Sequence, residues 1–189
     1  MNEKEIRYVS ELGSTDRVVE GYAVVFESES VPEIGFVETI HRGAITEDTI
    51  KNSDVIAKLN HADDKVLARS RYGEGSLELC VDDIGLRYRF EAPNTALGDE
   101  LLEYLKRGDL CQSSFAFTVA DGGDKWSYKN GTTRRDIYAI SALYDVSPVF
   151  TPAYAQTTCC KRYAEFDESR KALFASLDDK AKHIANLCD

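Results

Sequence analysis

The chain has 189 residues, 43% of them hydrophobic, with 33 acidic against 23 basic side chains and a formal charge of −10. That length suits a single domain that buries a core without disulfide or metal staples. The acidic balance argues against a nucleic-acid-binding surface, which needs a basic stripe. No stretch reaches the roughly 18 apolar residues of a membrane helix. The opening Met1-Asn2-Glu3-Lys4-Glu5 does not read as a signal peptide.

In chain order, Ile6 to Val9 and Val18 to Phe26 read as strands, with Gly21 marking a bulge or a close backbone approach. Phe36 to Ile40 is a short strand before an Arg42-Gly43 turn. Thr46 then caps a short helix whose first turn is acidic. Val55 to Leu59 leads into His61 and the solvated turn Ala62-Asp63-Asp64-Lys65. Val66 to Ser70, Ser76 to Val81 and Leu86 to Glu91 are further strands, separated by Gly73, Gly75 and Asp82-Asp83.

The clearest helix runs from Thr95 to Arg107, with Leu97, Leu101, Leu102 and Leu105 on one stripe. Asn94 or Thr95 starts it and Gly108 ends it. Leu110 to Val119 is a strand. Ala120 to Thr133 is polar and glycine-bearing and reads as a mobile hairpin or loop that Trp126 and Tyr128 can anchor. Ile137 to Leu143 and Val146 to Phe150 are strands. From about Ala164 the composition turns to a charged helical pattern. The expected division is therefore a β-rich body over residues 1–160 and a helical tail over 161–189, mobile or removed.

Cys80, Cys111, Cys159, Cys160 and Cys188 are odd in number and form no C-x-x-C pair, which fits reduced thiols. Adjacent Cys159-Cys160 without further ligands at spacing is no metal site. No metal and no cofactor is expected.

Three strand-like runs each carry one polar residue of chemical use: His61 after Leu59-Asn60, Ser114 in Gln112-Ser113-Ser114-Phe115-Ala116-Phe117, and Asp145 in Leu143-Tyr144-Asp145-Val146. Histidine, hydroxyl and carboxylate together make a serine nucleophile with an oriented base. Each has a plain alternative. The serines suit a strand edge bonded to its neighbours. His61 suits a half-exposed strand end, and Asp145 suits a buried acid paired with Arg134 or Arg135.

The order of the blocks adds a resemblance. Gly21-Tyr22-Ala23-Val24-Val25-Phe26, Phe36-Val37-Glu38 with Arg42-Gly43-Ala44-Ile45, and Leu59-Asn60-His61 come first. Asp83-Ile84-Gly85-Leu86, Leu105-Lys106-Arg107-Gly108, Ser114-Phe115-Ala116-Phe117 and Asp145-Val146-Ser147-Pro148-Val149 with Pro152-Ala153-Tyr154 follow. This succession resembles the prohead (capsid-maturation) serine proteases of tailed bacteriophages, a family related in fold to the herpesvirus assemblins.

The resemblance implies a mainly β, α+β fold: a closed antiparallel β-barrel with flanking helices. It implies a serine endopeptidase in which Ser114, before the Phe-Ala-Phe triplet, is the nucleophile rather than Ser113. His61 is then the general base and Asp145 the third member, with Arg134 or Arg135 near the oxyanion. The implied substrates are scaffold and the scaffold-like region of the major capsid protein, and the chain itself. The implied place is the assembling prohead in the host cytoplasm, with no nucleic-acid or membrane partner and with a homodimer compatible. The alternative is a catalytically silent capsid-assembly or scaffolding module that keeps the barrel.

Overall fold

The computed structural model describes residues 17–30, 35–151, 153–154 and 156–161. The first strand, β1 (Val18–Val25), is buried along its whole length, as its near-continuous apolar run requires. β2 (Val37–Ile40) leads to the short helix α1 (Glu47–Lys51). Thr46 caps α1 as its sequence predicts, in a reciprocal box with Thr49. There follow β3 (Asp54–Lys58), β4 (Val66–Arg71), β5 (Glu74–Gly75), β6 (Leu77–Val81) and β7 (Gly85–Glu91).

Helix α2 spans Ala96–Arg107. The Thr95 hydroxyl accepts from the Gly98 N–H, and Gly108 closes the helix in the left-handed region at φ 77°, where a side chain would be strained. Its buried stripe is Gly98, Leu101, Leu102 and Leu105; each leucine so buried contributes about 2 kcal/mol. The chain then forms β8 (Gln112–Val119), β9 (Asp124–Lys129), β10 (Thr132–Ile137), β11 (Ile140–Val149) and β12 (Thr158–Lys161).

The strands form three sheets, in the orders β12-β1-β7-β6, β2-β10-β9 and β5-β4-β3-β11-β8. The expected closed antiparallel barrel is corrected on both counts. Among the described residues the ladders leave three open sheets, and two ladders, β2–β10 and β3–β11, are parallel. Parallel neighbours demand long crossovers, and here the chain between β3 and β11 includes α2 and seven other strands. The mainly β class with few helices is the one observed.

One core joins all three sheets: Val19, Tyr88 and Phe90 from the first, Ile40 and Ile137 from the second, Val55 and Val146 from the third, with Leu101 and Leu105 of α2. The irregularity expected near Gly21 lies between Tyr22 and Val24 in the β1–β7 ladder. Beside it, a Cβ on Gly85 would collide with the Val24 carbonyl, so glycine there permits the approach of two backbones.

Of the hairpin or loop expected over 120–133, the structure has the hairpin, formed by β9 and β10. Its turn is Asn130-Gly131, with both residues at positive φ, the signature of a two-residue hairpin turn. The strand expected at 6–9 and the helical tail from 164 lie outside the described residues.

Candidate active site

β3 ends at Lys58, and the chain turns back through Leu59, whose N–H bonds the Lys65 carbonyl at 3.0 Å. Asn60 and His61 take φ values of 54° and 58°, the one consecutive pair of non-glycine residues in the left-handed region among those described. Each such residue costs roughly 1–3 kcal/mol and persists where the surroundings hold it. The holding contact is a bond from the Asn60 N–H to the Pro148 carbonyl at 2.8 Å, which ties this turn to β11. His61 is thereby turned onto the neighbouring strand.

His61 Nδ1 lies 2.7 Å from Asp145 Oδ1. The carboxylate accepts, so the ring donates from Nδ1 and presents Nε2 on its opposite side. The His61 side chain is 39% exposed and that of Asp145 only 7%. The acid is therefore enclosed while the imidazole reaches solvent. Ser147, two residues along β11 and fully buried, donates to the same Oδ1 at 2.8 Å. The other oxygen, Oδ2, lies 3.9 Å from Lys58 Nζ. That ammonium also bonds Asp63 at 2.7 Å; this bond above all, opposed by desolvation and helped by the Asp145 charge, holds Lys58 above the usual lysine range.

The two serines of β8 separate by face. In the antiparallel β8–β11 ladder, Ser114 stands opposite Ser147 and Ala116 opposite Asp145, with no register shift between them. Opposite residues project from the same side of a sheet, with Cβ atoms about 5 Å apart. Ser114 thus shares a face with Asp145 and Ser147. Ser113 projects to the other side, fully buried, with its hydroxyl 2.7 Å from the Tyr88 hydroxyl. The Ser113 N–H bonds Thr157 Oγ1 at 3.1 Å. Asp145 on β11 and Ser114 on the adjacent β8 therefore share one face of the sheet, and His61, in the turn after β3 on the other side of β11, bonds the carboxylate.

A family model described as caudovirus prohead serine protease matches residues 4–171. The chain belongs to that family. A comparison with curated proteins finds no match. Hydrolase, protease and virion-maturation descriptions apply to the chain through the family.

In this prohead serine protease family member the two arginines considered for the oxyanion lie on β10, in the three-stranded sheet. Arg134 donates to Glu29 at 2.7 Å. Arg135 donates to Asp124 at 2.7 Å and Glu38 at 3.1 Å, with its guanidinium over the Trp126 ring. Arg135 thus holds β9 and β2 through carboxylates and Arg134 holds Glu29 in the segment before β2, and Asp145 is not among the carboxylates they bond.

Sequence reasoning passed over Ser147 and Lys58. The signal for Ser147 is its place two residues after Asp145, which puts two polar groups on one face of an otherwise apolar strand. Lys58 gives no such signal, because a lysine at a strand end is ordinary in a sequence.

Among the described residues, no group of three or more histidine, cysteine or acidic side chains has the arrangement of a metal site. No helix there is long and apolar enough to cross a membrane.

Proposed function

We propose that the protein is a serine endopeptidase of prohead maturation in which Ser114 is the nucleophile, His61 the general base and Asp145 the acid that orients the base. The observation that carries the reading is the His61 Nδ1–Asp145 bond on a strand whose next neighbour presents Ser114 on the same face. It leaves Nε2 as the nitrogen that takes a proton.

In the proposed reaction, Ser114 Oγ attacks a peptide carbonyl while His61 Nε2 removes its proton. The Oγ–carbon bond forms, the carbon–nitrogen bond breaks, and the proton passes from Nε2 to the departing amine. Water, deprotonated by the same nitrogen, then releases the acyl group from Ser114. Asp145 keeps the ring in the tautomer with Nδ1 protonated and offsets the imidazolium charge. The arginine ion pairs favour leaving Arg134 and Arg135 out of this scheme, with backbone N–H groups as the oxyanion donors.

The substrates we assign are scaffold and the scaffold-like region of the major capsid protein, inside the assembling prohead in the host cytoplasm. Residues 161–189 form a tail beyond the 1–160 protease unit and are a further substrate. Confinement favours this role, since tethered substrates at high effective concentration compensate for a slow enzyme. The assemblin relationship belongs to the same proposal, as does a homodimer.

The test is co-expression of the full chain with the capsid protein of its phage, followed by mass mapping of new termini, beside Ser114→Ala. Cleavage by the wild type alone supports the reading. Intact capsid protein and intact chain in both cultures would replace it with a silent assembly module.

A further inference from the structure

We infer that Ser147 is a positioning residue of the proposed protease site: its hydroxyl fixes the rotation of the Asp145 carboxylate so that Oδ1 meets His61 against the pull of Lys58. The inference rests on the triad reading above and adds to it a residue that never touches substrate.

Ser147 is fully buried, and a buried hydroxyl needs a partner. That partner is Asp145 Oδ1 at 2.8 Å, the same oxygen that faces His61 Nδ1 at 2.7 Å. One oxygen therefore receives two donors. Meanwhile Oδ2 stands 3.9 Å from the Lys58 ammonium, beyond hydrogen-bond distance but within strong attraction.

The terminal torsion of an aspartate is soft and roughly two-fold. Nothing covalent prevents the carboxylate from turning to give Lys58 a close contact. The His61 side chain is 39% exposed, so packing encloses only part of it. The buried Ser147 hydroxyl is the contact that defines the carboxylate plane. Because Ser147 stands opposite Ser114 in the ladder, that plane is also referenced to the strand bearing the nucleophile.

Lys58 gives the arrangement its particular signature. Loss of the serine hydroxyl frees the carboxylate to follow the ammonium, and loss of the ammonium removes the reason to move. The two substitutions must therefore be non-additive.

The experiment uses the full chain and a fluorophosphonate probe that labels an activated serine, with the limiting labelling rate and the half-saturating probe concentration measured separately. Ser147→Ala is expected to lower the limiting rate about 10–100-fold, as small misplacements of catalytic groups do, with the half-saturating concentration unchanged. In a Lys58→Met background the same substitution is expected to cost less than about 3-fold.

An equal cost in both backgrounds, or Ser147→Ala labelling like the wild type, overturns the inference while leaving the triad intact. Wild type that fails to label at Ser114 overturns the triad and this inference together. Should Ser147→Ala not fold, Ser147→Cys, a weaker donor of similar shape, is read the same way: a wild-type rate overturns the inference and an intermediate one supports it.

Discussion

Among the described residues two histidines make short contacts with carboxylates, and they differ in what is left of the ring. His61 meets one carboxylate, through Nδ1 at 2.7 Å. His41, just past β2, meets two: Glu27 at Nδ1, 2.8 Å, and Asp136 at Nε2, 3.0 Å. Its ring face is also stacked on Tyr138 with centroids 4.5 Å apart.

Both nitrogens of His41 are thus occupied in tying the Glu27 turn to β10, and no serine hydroxyl among its hydrogen bonds waits for a base. A short histidine–acid contact is therefore no mark of catalysis by itself. What separates the two is that one ring nitrogen of His61 has no carboxylate partner among the described residues, beside a strand whose neighbour carries Ser114 on the same face as Asp145. His41 fastens the Glu27 turn to β10, whereas His61 is the ring that the proposed reaction uses.

The sharpest way to break that distinction is to remove each ring. His61→Ala should lower fluorophosphonate labelling of Ser114 at least about 10³-fold, while His41→Ala stays within about 3-fold of wild type and melts earlier. Equal labelling losses from the two would erase the distinction.

A smaller effect is expected one atom further out. Asp145→Asn should slow labelling roughly 10²–10⁴-fold through the wrong ring tautomer, with a near-normal thermal transition, whereas Asp136→Asn leaves labelling unchanged. Loss of folding in Asp145→Asn would instead make that carboxylate a structural acid.

The paired serines give a third contrast. Ser113→Ala removes a buried hydrogen bond to Tyr88 and should cost about 1–2 kcal/mol of stability in denaturant titration while labelling persists. Ser113→Ala that folds normally and does not label would mean that the nucleophile had been misassigned by one position.

The mildest test concerns the structural side alone. Tyr154 is buried and donates to the buried Glu38 carboxylate at 2.6 Å. Desolvation first, and then the Glu38 charge and hydrogen bond, push its phenol far above the ordinary value of 10, against the nearby Arg135.

A group whose folded-state proton affinity is raised gives stability that is complete below its unfolded pKa and fades above it. Wild type should therefore lose up to about 1.4 kcal/mol per pH unit above pH 10 relative to Tyr154→Phe. Parallel stability curves for the two proteins between about pH 10 and 11 would show that the phenol ionises freely in the folded state.

The parts of the fold legible in the sequence are those governed by local chemistry. Thr95 and Gly108 bracket α2 because a capping hydroxyl and a left-handed glycine act on their own helix. β10 was hidden because its run Thr132-Thr133-Arg134-Arg135-Asp136 shows no apolar alternation; its charges are matched across strands to Glu29, Glu38 and Asp124. Those pairings are invisible along the chain. β12 escaped for a similar reason: its partner, β1, lies some 140 residues earlier in the ladder Val19↔Lys161.

β11 was expected as two strands because Tyr144-Asp145 interrupts an apolar run. The strand in fact continues through them, with a shift of register against β8 between Leu143 and Asp145. The polar interruption marks the candidate site rather than an element boundary, which is where sequence patterning and function conflict. The geometry also gives separate meanings to blocks that look alike in the family resemblance. Phe36-Val37-Glu38 and Pro152-Ala153-Tyr154 meet through the Glu38–Tyr154 bond, a structural joint, while Leu59-Asn60-His61 and Asp145-Val146-Ser147 meet in the candidate site.

The parallel ladder between β3 and β11 has a consequence for the timing of birth on the ribosome. Synthesis runs from the amino end, so His61 emerges first, Ser114 next, and Asp145 84 residues after the histidine. A nascent chain that stops short of β11 holds base and hydroxyl on strands that have no shared neighbour, since β11 is the strand inserted between β3 and β8. β3 and β8 join one sheet only when that last wedge enters. The proposed site is thereby incomplete until almost the whole body has been made.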